Sequence, residues 1–327
     1  MTLDGIKAFL GEDWTGTCEL IGSSLSSDIG LLDRTNKAIL ANGGKQLRPL
    51  VSLLVARACG SGRTTADSLR FAAASELLHN ATLLHDDVVD GSTQRRGVPT
   101  VMSLLGGPAS VLIGDYWLVK AIGNILASPS HSEEVTRIFA KTLSDLAEGE
   151  MLQMQKAASC DTDEEDYYRI IYSKTASLFE AACVSAAISV DAPDEVREAV
   201  REYAIALGMA FQIKDDILDY YGGEVIGKPV GVDLEEQKIT LPLLGALKNA
   251  GEAEATAVRK KVMEIPSHPE YEAEIKEFVL RNGGAEYSSS CLDGFVSKAV
   301  EAIGVLPDSK EKDYLVAIAG FMAKRDR

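Results

Sequence analysis

A chain of 327 residues, 46% apolar and 25% charged, has ample material for a packed core; this excludes a disordered chain and leaves one large domain or two smaller ones open. Asp and Glu outnumber Lys and Arg by 49 to 33, and the formal net charge of -16 argues against a nucleic-acid or anionic-membrane footprint, so any anionic ligand must be held by local basic residues. The five cysteines, Cys18, Cys59, Cys160, Cys183 and Cys291, are odd in number and scattered without CxxC spacing, as expected of reduced thiols in a cytosol.

The opening MTLDGIKAFLGEDW carries early acids and no basic stretch before an apolar one, so neither a secretory signal nor a transit peptide is expected. No run approaches the ~18 apolar residues of a membrane span. Apolar residues recur with the period of helices almost throughout, and alternating β-branched runs are few, which predicts an all-α fold. The stretch GGKQLRP, with Lys45 and Arg48 around Gly43, Gly44 and Pro49, leads into a helix predicted over 47–59. The next, over 66–90, ends LLHDDVVDG, placing Asp86, Asp87 and Asp90 ahead of Gly91; GSTQRRG, with Arg95 and Arg96, follows in a break reaching Pro99. Helices over 109–127 and 132–156 are separated by Ser128–Ser130. One over 163–190 carries Lys174 and Thr175 in its middle, within YYRIIYSKTASLFEAACVSAA. The helix over 194–220 ends QIKDDILDYYGG, with Asp215, Asp216 and Asp219 before Gly222. A Gly/Pro-bearing loop, GKPVGVDLEEQK, then offers Lys228, Asp233 and Lys238 as a lid, and helices over 240–250, 253–264 and beyond 270 complete the chain. None of the breaks reads as an interdomain linker, so a single domain over 1–327 is expected.

Two of these helices end in nearly the same way. DDxxD sets Asp86 and Asp90, and likewise Asp215 and Asp219, four residues apart on one helix face, so each pair can grip a shared cation. A single such motif in an acidic protein is as readily a solvated helix face. Carboxylates near a helix C-terminus, however, oppose the macrodipole by roughly 0.3–1 kcal/mol each, and the glycines just beyond mark helix ends, so the repetition calls for another cause. Mg²⁺ takes oxygen ligands, keeps several waters and bridges carboxylates to substrate phosphates, which suits a diphosphate carried on the metal. The planar fork of arginine and the mobile charge of lysine in the flanking basic pairs suit the phosphate oxygens.

Taken in order, GGKQLRP, LLHDDVVDGSTQRRG, SKTASLF, FQIKDDILDYYG and GKPVGVDLEEQKITLP resemble the trans-type polyprenyl diphosphate synthases, over about residues 40–245. The resemblance implies an isoprenoid synthase helical bundle around a deep central cavity, usually a homodimer, with the acid clusters facing each other at its mouth. It implies that Lys45, Arg48, His79 and Arg96 bind isopentenyl diphosphate. Arg95, Lys174, Thr175, Gln212, Lys228 and Lys238 then hold the allylic diphosphate. Asp86, Asp90 and Asp215 are the implied main Mg²⁺ ligands, with Asp87 and Asp219 in support and Asp216 completing the catalytic acids. Two positions depart from the family: Gln46 stands where many relatives carry a basic residue, and Gln237 where a glycine is often found.

The implied chemistry is head-to-tail condensation: diphosphate leaves an allylic cation, the isopentenyl double bond attacks it, and a proton is lost, with no protein base nominated. Product length depends on what fills the cavity below the first acid cluster. Ala81 and Thr82 lie ~6–7.5 Å down the helix from Asp86, where short-chain members commonly place aromatics, and both are small. Leu78, with Ala74, Trp117, Leu118 and Ile122, then supplies the floor, and a long-chain product of the kind used for quinone side chains is expected. The alternatives are a farnesyl or geranylgeranyl diphosphate synthase and a non-catalytic partner of a heteromeric synthase. Peripheral contact with a membrane that receives the product is the most membrane association expected.

Overall fold

The computed structural model describes residues 2–95, 97–221 and 231–324, and among these the fold is all-α, with seventeen α-helices and one two-residue hairpin. In chain order the helices are α1 (Leu3–Leu10), α2 (Glu12–Ser24), α3 (Gly30–Ala41), α4 (Leu47–Cys59), α5 (Ala66–Val89), α6 (Val101–Leu105), α7 (Gly107–Leu126), α8 (Ser132–Ser159) and α9 (Glu164–Ile171). They continue as α10 (Ser177–Ile188), α11 (Asp194–Tyr221), α12 (Val232–Glu235), α13 (Leu241–Asn249), α14 (Glu252–Glu264), α15 (Tyr271–Arg281), α16 (Gly284–Ala302) and α17 (Lys310–Lys324). The chain divides into two compact units, one within 1–141, 178–201 and 303–317, the other within 142–177, 202–302 and 318–327.

In unit one α5 is the axis, packed by α7, α4 and α2. Its start is fixed by a reciprocal cap: the Thr65 hydroxyl accepts from the Ser68 N–H at 3.2 Å and the Ser68 hydroxyl accepts from the Thr65 N–H at 3.0 Å. From Phe71 to Leu78 every residue is buried. Its end follows the glycine rule, with Asp90 as the C-cap and Gly91 at φ +63°. α4 is buried on all sides from Leu47 to Ala56, as befits a helix without a polar face. The helix α7 buries Ile113, Trp117, Ala121 and Ile125, and the Trp117 indole N–H donates to Asn36 of α3 at 2.8 Å. By length and composition α7 is the one helix among the described residues able to cross a membrane, a property that a search for unbroken apolar runs passes over; here it packs along α5.

Unit two centres on α13, which packs against α16, α15 and α9. Pro242 sits in its first turn, where a missing N–H is harmless. Asp163 and Asp166 form the same kind of reciprocal cap on α9 as Thr65 and Ser68 on α5.

The predicted helices match α4, α5, α7, α8, α11, α13 and α14 to within a few residues. The helix predicted over 163–190 is instead interrupted: Tyr172–Ala176 form a single π turn between α9 and α10. Two close approaches accompany it. A Cβ on Gly149 of α8 would lie 2.5 Å from Ser173 Cβ, and one on Gly208 of α11 would lie 2.5 Å from the Ala176 Cα, so both helices meet the turn only because those positions carry no side chain. Helices α1 to α3, α6 and α12 were not foreseen: α3 buries only Asn36 and α2 only Thr17 and Ile21, too little for a periodic stripe. The hairpin, pairing Gln94 with Pro99 and Arg95 with Val98, falls in the break predicted between Gly91 and Pro99.

Candidate active site

In unit one the first acid cluster occupies the last turn of α5. Asp86 is half-buried and Asp90 exposed, whereas Asp87 points inward and is buried. The hairpin folds Arg95 back onto it: Asp87 Oδ1 accepts from Arg95 Nε at 2.9 Å and lies 2.9 Å from Nη2. The Thr100 hydroxyl closes the hairpin base by donating to the Ser92 carbonyl at 2.7 Å. Lys45 is exposed just ahead of α4, and Gln46 caps that helix in the left-handed conformation at φ +53°. Arg48 is buried, its guanidinium carbon 4.7 Å from the centre of the Phe179 ring. His79 is half-buried on α5. Of the chain-length candidates, Leu78 and Ala81 are each 1% exposed, while Thr82 is half-buried and donates its hydroxyl to the His79 carbonyl at 2.8 Å. Trp117 is fully buried, and Leu118 and Ile122 are half-buried.

In unit two a hydrogen-bonded chain links the second acid cluster to the π turn. The Thr175 hydroxyl donates to Gln212 Oε1 at 2.7 Å, Gln212 Nε2 donates to Asp216 Oδ1 at 2.8 Å, and the Tyr167 hydroxyl donates to Asp216 Oδ2 at 2.6 Å. Asp216 is therefore a buried strut between α9, α11 and the π turn, whereas Asp215 beside it is half-buried. Lys174 pairs with Glu150 of α8 at 2.5 Å. Asp219 accepts from the backbone N–H groups of Gly231, Val232 and Asp233, each at 3.2 Å, and so holds the returning chain against α11. Lys238 is half-buried and paired with Glu236. Arg96, Lys228 and Gly222 lie outside the described residues.

Glu150 and Tyr167 belong to no sequence motif. The signal that points to Glu150 is Lys174 itself, since a lysine set in an apolar helix needs a carboxylate neighbour. Nothing in the spacing of Tyr167 points to Asp216.

The electrostatics follow from burial. Burial pushes Asp216 up to about 7, against the pull of the hydrogen bonds from Tyr167 and Gln212, with the charges of Asp215 and Asp219 pushing the same way as burial. Burial raises Asp219, opposed by its three backbone N–H donors, and raises Asp233 well above the carboxylate range. The folded protein thus keeps a proton on Asp216 that the unfolded chain releases from about pH 4 upward, so this group makes stability fall as pH rises from about 4 to about 7. In metal-free protein, Asp216→Asn is expected to flatten that slope, by up to ~1.4 kcal/mol per pH unit, in urea titrations across this range; an unchanged slope would show that Asp216 does not titrate there. The five cysteines are free thiols, and burial drives Cys59 up to about 12 and Cys183 further, leaving both unreactive.

Among the described residues no three acid, His or Cys side chains converge into a ready-made metal cage. Paired carboxylates on one face of a helix end, with Asp90 exposed, suit a cation such as Mg²⁺, which takes its other oxygens from water and phosphate.

Residues 30–279 match the family model described as polyprenyl synthetase. The chain is 36% identical to the octaprenyl diphosphate synthase of Escherichia coli (strain K12), with all of both chains covered. It is 35% identical to the all-trans-nonaprenyl-diphosphate synthase (geranyl-diphosphate specific) of Rhodobacter capsulatus, over 95% of this chain and 94% of that one. The crystal structure of a polyprenyl synthase from Caulobacter crescentus, complexed with calcium and isoprenyl diphosphate, superposes with a TM-score of 0.91 at 33% identity, covering 100% of this chain and 98% of the other. Helical architecture, ordered motifs and these likenesses agree: the chain belongs to the polyprenyl synthetase family and is a prenyltransferase.

Proposed function

We propose that this chain is a Mg²⁺-dependent, long-chain trans-polyprenyl diphosphate synthase, which adds isopentenyl diphosphate head-to-tail to an allylic diphosphate. The observation that carries this reading is the repetition of DDxxD in the last turn of α5 and over the last two turns of α11, with the π turn tying Thr175 to the second of them. Asp86, Asp90 and Asp215 hold Mg²⁺, and the buried acids Asp87 and Asp216 keep their helix ends in place through Arg95 and through Gln212 and Tyr167. When bound, Mg²⁺ offsets the negative charge that builds on the departing diphosphate.

Lys174, Thr175, Gln212, Lys228, Lys238 and Arg95 hold the allylic diphosphate and stabilise it as the C–O bond breaks. Lys45, Arg48, His79 and Arg96 hold the isopentenyl diphosphate so that its double bond attacks the allylic carbon. The released diphosphate takes the proton lost in forming the new double bond. All of the chain acts as one synthase domain, in the cytoplasm, as a homodimer. The dimer reading is supported by the outer face of α7, where Leu112, Val119 and Leu126 are each at least 60% exposed and recur at helical spacing.

The test is to incubate the purified chain with Mg²⁺, isopentenyl diphosphate and allylic primers of several lengths, and to measure product length and native mass. Long polyprenyl products from a particle of two chains are expected. No product from the chain alone would favour a non-catalytic subunit, and only short products would overturn the long-chain reading.

A further inference from the structure

Lys238 follows a residue in a backbone conformation that side chains disfavour. Gln237 has φ +58°, in the left-handed region that glycine occupies without penalty. The glycine often found here in the resembled family therefore has a conformational reason, and its replacement needs a compensating contact. The Gln237 side chain supplies one. Its Nε2 donates to the Met263 carbonyl at 3.0 Å and lies 3.4 Å from the Val262 carbonyl, at the C-terminal end of α14, where helix carbonyls run short of intrahelical donors.

The rest of the segment is pinned as well. Asp219 takes the N–H groups of residues 231 to 233, the Gln237 N–H donates to the Leu234 carbonyl at 2.9 Å, and the Lys238 N–H donates to the Asp233 carbonyl at 2.7 Å. Residues 231–238 are thus fastened to α11 at one end and to α14 at the other. Immediately downstream, Ile239 and Thr240 are buried at the start of α13. Lys238 stands between the clip and that buried anchor with its ammonium on Glu236, so the turn at Gln237 sets both the direction in which its side chain leaves the backbone and the approach of its Glu236 partner.

We propose that Gln237 is a positioning residue for Lys238: its amide clip to α14 fixes the left-handed turn and thereby delivers the Lys238 ammonium to the allylic diphosphate. This rests on the assignment of Lys238 to that diphosphate. A glycine at 237 relaxes the turn and surrenders the clip, whereas glutamine accepts the strained backbone in return for a fixed one.

The test compares the full-length wild type with Gln237→Gly, Gln237→Ala and Lys238→Ala in Mg²⁺, measuring kcat, the KM for each diphosphate, and Tm. Both Gln237 variants are expected to raise the allylic KM roughly three- to tenfold, the loss expected from one or two neutral hydrogen bonds, with the isopentenyl KM within about twofold of wild type. The glycine variant, which carries no strain, keeps the comparison valid if the alanine variant is unstable. Should Lys238→Ala raise the allylic KM while both Gln237 variants leave it unchanged, or should Gln237→Gly bind normally with a higher Tm, the positioning role is overturned. A Lys238→Ala protein with unchanged allylic KM overturns the assignment of Lys238 itself, and the inference with it.

Discussion

Replacing Asp86 or Asp215 by alanine is expected to lower turnover about a thousandfold or more, since charge stabilisation at the departing group is the main catalytic term the site supplies. The protein should stay folded. Both side chains are half-buried on helices, Asp86 in the last turn of α5 and Asp215 nearly two turns before the end of α11, and removing Asp86 relieves roughly 0.3–1 kcal/mol of opposition to the macrodipole of α5. Their neighbours behave differently. Asp216→Ala strands the buried Tyr167 hydroxyl, costing about 1–3 kcal/mol of stability, whereas Asp87→Ala frees an Arg95 side chain that is 36% exposed, so water takes the place of the lost carboxylate and the cost is smaller. Single-turnover assays across a Mg²⁺ titration, with Tm measured on the same proteins, separate the two groups. Activity within tenfold of wild type for Asp86→Ala or Asp215→Ala would remove that residue from the metal site.

The contrast between Asp86 and Asp87, or Asp215 and Asp216, marks where sequence reading stops. Periodicity and glycine placement made α5 and α11 legible almost to the residue, and the repeated acids at their ends made the chemistry legible with them. Which acid of each adjacent pair turns inward depends on partners brought from elsewhere in the chain: Arg95 returns through a hairpin too short to have a pattern, and Tyr167 comes from α9. The π turn was hidden for the same reason. Nothing within YSKTA breaks an α-helix; what accompanies the turn is Gly149 and Gly208, on two other helices, meeting it with bare backbone. Gln237 shows the converse. Its departure from the family pattern was visible in the sequence, but its meaning appears only when its φ and its hydrogen bond to Met263 are seen together.

Product length is the property most open to a single substitution. Thr82 and Ala81 lie about 6 and 7.5 Å along α5 from Asp86, and Leu78 about 12 Å, so the three form a ladder that a growing chain would descend. The ladder is not uniform. Ala81 is 1% exposed, so a phenylalanine there must displace packed neighbours at about 1–3 kcal/mol. Thr82 is half-buried and its hydroxyl only returns to the His79 carbonyl of its own helix, so Thr82→Phe gives up a local contact and projects its ring into less crowded space. Thr82→Phe is therefore expected to shorten the products by several isoprene units with little change in Tm, and Ala81→Phe to shorten them with a lower Tm. Leu78→Ala, one turn further down, is expected to lengthen them. Residues 81 and 82 differ by about 100° around the helix, so an effect confined to one of them identifies the face along which the chain passes. An unchanged product distribution in all three variants would place the length determinant on a different helix, with α7 and its Trp117, Leu118 and Ile122 the next to be varied.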